Sequence, residues 1–96
     1  MPAIGDLFKG SAVLETEISV DIKPGTGEIA RIHYLIHDGM VSIRYYDSSK
    51  DTEIEIGSYP VNSVFGQALP VDDTFYIRLY GATGIKVAWL GVYTKV

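Results

Sequence analysis

Apolar and polar residues alternate with a period of two in short runs from Ala12 to Thr94, broken by turns that carry Gly, Pro and Asp. Successive side chains of a β-strand point to opposite faces, so this period predicts strands with one buried and one wet side. The first run, Ala12–Ile22, sets Leu14, Thr16, Ile18, Val20 and Ile22 against Val13, Glu15, Glu17, Ser19 and Asp21. Lys23-Pro24-Gly25-Thr26-Gly27 then predicts a turn, because proline presets φ and glycine accepts positive φ. The second run, Glu28–His37, groups Ala30, Ile32, Tyr34 and Ile36; its other face, with Ile29, Arg31, His33, Leu35 and His37, is mixed and expects partial cover. Asp38-Gly39 leads at once into Met40–Tyr46, and Asp-Gly between two strand-like runs predicts a hairpin.

Asp47–Asp51 reads as a polar loop, and Thr52–Gly57 as a strand with Ile54 and Ile56 inward and Glu53 and Glu55 outward. Between Ser58 and Leu69, Pro60 and Gly66 argue for an edge strand or loop. Another turn is expected at Pro70–Asp73. A second hairpin is expected from Thr74–Tyr80 and Ile85–Thr94 around Gly81–Gly84. In its first arm Phe75, Ile77 and Leu79 oppose Tyr76, Arg78 and Tyr80. Its second arm is apolar on both faces, as expected of a strand inside a sheet or under a partner.

No window sustains helical spacing. The chain therefore predicts an all-β domain: a compact antiparallel β-sandwich or barrel of seven or eight short strands. Residues 1–11 have no period and read as an irregular N-terminal arm or strap, apolar at Ile4, Leu7 and Phe8, ahead of a single domain at 12–96. The arm either folds back on its own core or docks on a neighbour.

Composition narrows the function. Ninety-six residues make one domain, and such a chain buries roughly 60–65% of its unfolded surface. An apolar fraction of 47% is high for that size and suggests surface covered by a partner. The net charge of −4, without a basic patch, argues against nucleic acid and against an anionic membrane. The absence of cysteine excludes disulfides, thiolate metal sites and thiol nucleophiles. The opening residues lack the basic and apolar regions of a signal peptide. A product of the cytoplasm, complete from Met1 to Val96, is expected.

Candidate chemistry is sparse. His33 and His37, four apart on one strand, would lie roughly 13 Å from each other, too far to share an ion whose ligands stand about 2 Å away. Glu15/Glu17 and Glu53/Glu55 fall about 6.5–7 Å apart, a glycosidase-like separation. Plain alternation produces the same spacing. Asp47, Asp51, Asp72 and Asp73 sit in turns, without the glycine and distal glutamate of a twelve-residue calcium loop. No phosphate-binding or nucleophile-elbow motif occurs. The reading is therefore no enzyme, no catalytic residue, no metal and no cofactor. What remains is aromatic: seven tyrosines and one tryptophan, residues that fill interface pockets or stack on sugars.

In size, composition and architecture the whole chain resembles small β-rich accessory proteins of phage virions, of the capsid cement or decoration type. No motif carries the resemblance, so no residue role transfers with it. It implies a virion subunit that forms a homo-oligomer and clamps a larger assembly such as a major capsid protein. The residues expected at the interface are Ile4, Leu7, Phe8, Tyr46, Tyr76, Tyr80, Leu90 and Val92. The alternative is a small carbohydrate- or peptide-binding module that uses exposed tyrosines.

Overall fold

A computed structural model describes residues 2–96, at Val64 and Gly66 for the backbone strand assignment alone. The described chain is all-β, with eight strands: β1 (Leu7–Val13), β2 (Val20–Ile22), β3 (Ile29–His37), β4 (Val41–Asp47), β5 (Thr52–Tyr59), β6 (Ser63–Val71), β7 (Phe75–Gly81) and β8 (Lys86–Lys95). They form two four-stranded antiparallel sheets. The front sheet runs β1-β8-β3-β6 and the back sheet β2-β7-β4-β5. First pairs with last, second with seventh, third with sixth, and fourth with fifth. One long hairpin rolled upon itself has this order, so the β-sandwich is an eight-stranded jelly roll.

The rolled order corrects the pairing expected at two turns. Asp38-Gly39 does not close a hairpin: β3 lies in the front sheet and β4 in the back sheet. Likewise Gly81–Gly84 carries the chain from β7 across to β8 in the opposite sheet. Gly84 has φ +96°, as the expected turn requires, but the turn is an arch. The one pair of consecutive strands that bond to each other is β4–β5, joined through the polar loop Asp47–Asp51.

The run Ala12–Ile22 is two strands, not one. Glu17 takes φ +67°, and Glu15 and Ile18 make an isolated bridge around it. The chain there leaves the front sheet and enters the back sheet, with Leu14 fully buried at the crossing and Ile18 exposed. The N-terminal stretch is also more ordered than its sequence suggests. Leu7–Val13 pairs along β8, and Gly5 and Asp6 already exchange backbone hydrogen bonds with Tyr93 at 2.9 Å. This part of the expected arm is an edge strand of its own domain.

The core lies between the sheets. Leu14, Ile22, Ile32, Leu35, Val41, Ile43, Val71, Ile77 and Leu79 are almost wholly buried, each contributing about 1.5–3 kcal/mol of apolar transfer. Two glycines permit close approach. A Cβ at Gly91 would run into the Arg31 carbonyl of β3, and one at Gly10 into the Trp89 indole. Tyr45 staples the sheets: its ring stacks on Phe75 at 4.5 Å and its hydroxyl donates to the Pro70 carbonyl at 2.8 Å. Burial pushes that phenol up to about 12.

Edges and bulges explain which apolar residues escape the core. β5 is a back-sheet edge, so Ile54 and Ile56, expected inside, are 67% and 37% exposed. In β3 the register slips between Ile32 and Tyr34, leaving His33 as an extra residue. One extra residue reverses every later side chain. Leu35 and His37 are therefore buried, while Tyr34 and Ile36, expected inward, face solvent. β6 is an edge strand, which accommodates Pro70.

Candidate functional site

The outer face of the front sheet is the most distinctive surface of the molecule. Leu7 and Val13 at the two ends of β1, Leu90 from β8, and Tyr34 and Ile36 from β3 are all at least a third exposed on this face. Cross-strand register sets Leu7 beside Val92, and Leu90 beside both Lys9 and Tyr34. Ala88 bridges Ser11 and Ile36 in the next row. Shallow apolar grooves run over this face, one lined by Leu7, His33, Tyr34, Leu90, Gly91 and Val92, and one by Lys9, Gly10, Ser11, Ile36, Ala88, Trp89 and Leu90. A third, at the end of β3, touches Val13, Ile36, Asp38, Asn62 and Lys86.

The β3 bulge builds this face. Had β3 stayed regular through His33, Tyr34 and Ile36 would sit inside, and Leu35 and His37 would face out. The charges on the front-sheet strands are all of one sign, with Asp38 standing just beyond the end of β3 beside Lys86. The four front-sheet strands carry Lys9, Arg31, Lys86 and Lys95 and no carboxylate, in a chain whose net charge is −4.

The back sheet's outer face is arranged differently. Its four strands hold two arginines against four carboxylates. Arg44 donates from Nη1 to Glu53 Oε1 at 2.6 Å and lies over the Tyr80 ring. Arg78 stacks 3.5 Å from the Tyr46 centroid, with Nε 3.2 Å from Asp21 and Nη1 3.6 Å from Glu53. Tyr80 donates to Glu53, and Tyr46 to Asp51. The Arg44 hydrogen bond holds the Glu53 carboxyl below its ordinary range, and Tyr80 adds to the effect. The Asp51 acceptor raises the Tyr46 phenol.

The expected interface residues therefore divide. Leu7, Leu90 and Val92 lie together on the front face. Ile4 is 70% exposed just ahead of β1. Phe8 is buried in its own core, edge-on to Tyr93, because it alternates with Leu7 on β1. Tyr76 is buried on the back sheet beneath Lys23 and beside Tyr46. Tyr46 and Tyr80 are half-buried and engaged with Arg78, Asp51, Arg44 and Glu53. Sequence reasoning missed Val13, Tyr34 and Ile36. Alternation puts Val13 on the wet side of the first run, and Tyr34 and Ile36 on the same face as Ala30 and Ile32.

His37 is a satisfied core histidine. Its Nδ1 bonds the Gly39 carbonyl at 2.8 Å and its Nε2 the Ser63 hydroxyl at 3.1 Å. Its backbone N–H donates to Asn62. Both ring nitrogens are thus occupied within the fold. His33 is exposed on the bulge. Asp47 and Asp72 accept from backbone N–H groups of their own turns, Asp47 from Ser49 and Asp72 from Thr74 and Phe75. Among the described residues no three His, Asp or Glu are grouped to hold a metal ion. No helix among them is long and apolar enough to cross a membrane.

No protein-family model matches the chain. No curated protein matches it either.

Proposed function

We propose that this chain is a non-enzymatic structural subunit of a larger protein assembly, docking through the outer face of its front sheet. The specific form proposed is a virion subunit that stabilises a capsid as cement or decoration. The observation that carries the reading is the front face itself. Five large apolar side chains stand exposed on one face of one sheet, and an exposed apolar patch marks an interaction surface. Covering each such side chain contributes about 1–2 kcal/mol. The jelly roll supports the reading at the level of architecture, being common to virion proteins and lectins alike. The reading as a carbohydrate-binding module through exposed tyrosines gains less. Tyr46, Tyr76 and Tyr80 are committed to partners within the back sheet.

The test uses particles purified from the source cells on a density gradient. The chain should sediment with large particles at a fixed ratio to their main subunit. The Ile36→Glu variant, substituted at an exposed position, should fold normally and remain at the top of the gradient. Wild-type chain recovered entirely in the soluble fraction would overturn the proposal.

A further inference from the structure

The front face has an acidic, apolar counterpart on the same chain. β5 is one of the two edges of the back sheet, and it carries Glu55 and Glu53, the latter bonded to Arg44 of β4, and no base of its own. Ile54 is 67% exposed there, and Ile56 and Tyr59 further along the strand are exposed as well. Asp51 adds a further carboxylate at the head of the strand. The front-sheet strands, in contrast, carry four bases and no acid.

Two front faces pair poorly with each other. A two-fold contact would bring Lys9, Arg31 and Lys86 of both copies together, with no front-strand carboxylate and only Asp38, beyond the end of β3 beside Lys86, to offset them. Like charges set against one another oppose association. A head-to-tail contact has complementary charge and apolar surface on both sides.

Resting on the assembly reading above, we propose that the occupant of the front face is the β5 edge of a second copy of this chain. Ile54 and Ile56 seat against Tyr34, Ile36 and Leu90, with Glu55 and Asp51 towards Lys9, Arg31 and Lys86. Each copy then gives one surface and receives with another. Such heterologous contacts close into a ring or continue as an open chain. Salt weakens the contact, because its charges lie at an exposed rim.

The test is complementation between two half-dead variants, followed by sedimentation at low salt. Ile36→Glu spoils the receiving face and leaves β5 intact. Ile54→Lys spoils the inserted edge and leaves the face intact. Both positions are exposed, and thermal unfolding of each variant should match the wild type. Wild-type protein is expected to form species larger than a dimer, and each variant alone to be monomeric, with association weakened about tenfold or more. Their equimolar mixture should give a dimer and nothing larger, because one intact interface can form. The Lys9→Glu variant should be weaker than wild type and regain association with Glu55→Lys. Wild-type protein that is monomeric in isolation overturns the head-to-tail contact. If that monomer still sediments with particles through Ile36, the docking role stands without it. Ile54→Lys protein that assembles like wild type, or a mixture that stays monomeric, also overturns it.

Discussion

The two outer faces of the sandwich follow the same alternation rule and reach opposite ends. The back face sets aromatic and charged side chains together and pairs most of them with one another, although Arg78 Nε, 3.2 Å from Asp21, makes no hydrogen bond. Glu53 alone takes Arg44, Tyr80 and a more distant Arg78. The front face holds apolar side chains and cations that meet no carboxylate on neighbouring strands. Side chains that look adhesive in sequence are largely spent on one another in the back sheet, while the exposed large apolar side chains of the front face are Leu7, Val13, Tyr34, Ile36 and Leu90.

The contrast is broken most severely at the strand crossings. Gly91→Val drives a side chain into the Arg31 backbone, which has no rotamer to yield. The expected loss is about 3 kcal/mol or more, read by urea unfolding, and failure to fold is within that expectation. At Gly57 on the back sheet, an added Cβ meets the hydroxyl end of the Tyr59 side chain, 2.7 Å away. That side chain is exposed and can swing aside. Gly57→Ala should therefore cost less than about 1 kcal/mol. Comparable losses at the two sites would show that strand closeness is not what distinguishes the sheets.

Arginines sharpen the comparison at smaller scale. Arg78→Met removes contacts to Asp21, Glu53 and the Tyr46 ring. Because the site is partly exposed and screened, it should lower stability by about 1 kcal/mol, with association unchanged. Arg31→Met on the front face should leave stability within about 0.5 kcal/mol and alter the salt dependence of association instead. Paired urea titrations and sedimentation runs separate the two effects. An Arg31 variant that loses stability as Arg78 does would remove the distinction between the faces.

The strands themselves were largely legible in sequence, and their partners were not. Period two places Ile77 and Leu79, or Val41 and Ile43, without knowledge of the rest of the chain. Asp38-Gly39 and Gly81–Gly84 are correctly turns, but a tight turn joins two strands equally well within one sheet or across two. The sandwich decides, through long-range pairs such as β1 with β8. The two-sided apolar character of Ile85–Val92 did foretell a strand in the interior of its sheet. Leu90 and Val92 lie on that strand, and Leu7, expected in the arm, pairs beside Val92. Tyr34 and Ile36 were hidden by one extra residue at His33, which no local propensity marks. Glu17 was hidden similarly, since positive φ at glutamate has no sequence signature. Ile54 alternates like a core residue and is exposed because β5 has no strand beyond it.

Acid should also separate the faces, by the smallest margin. Glu53 is held below its ordinary range chiefly by the Arg44 hydrogen bond. Serine hydroxyls lower Glu55, from Ser42 first and then Ser58, and Ser49 lowers Asp47. A depressed folded-state value means that the unfolded chain binds the proton more readily. The stability these groups contribute is thus complete above the unfolded carboxyl value, about 4.3 for glutamate. It fades as pH falls through that value toward the lower folded one. All three lie on β4 or β5 of the back sheet, whereas the front strands hold no carboxylate to titrate. Urea midpoints should therefore be flat above about pH 5 and fall by less than about 1 kcal/mol for Glu53 between pH 5 and 3, since solvent screens a surface pair. High salt should shrink the fall. Arg44→Met should flatten it further, because without that donor the Glu53 value returns toward the unfolded one. An acid loss that is unchanged in Arg44→Met would place its origin in the loop carboxylates and leave the back face without the electrostatic role that distinguishes it.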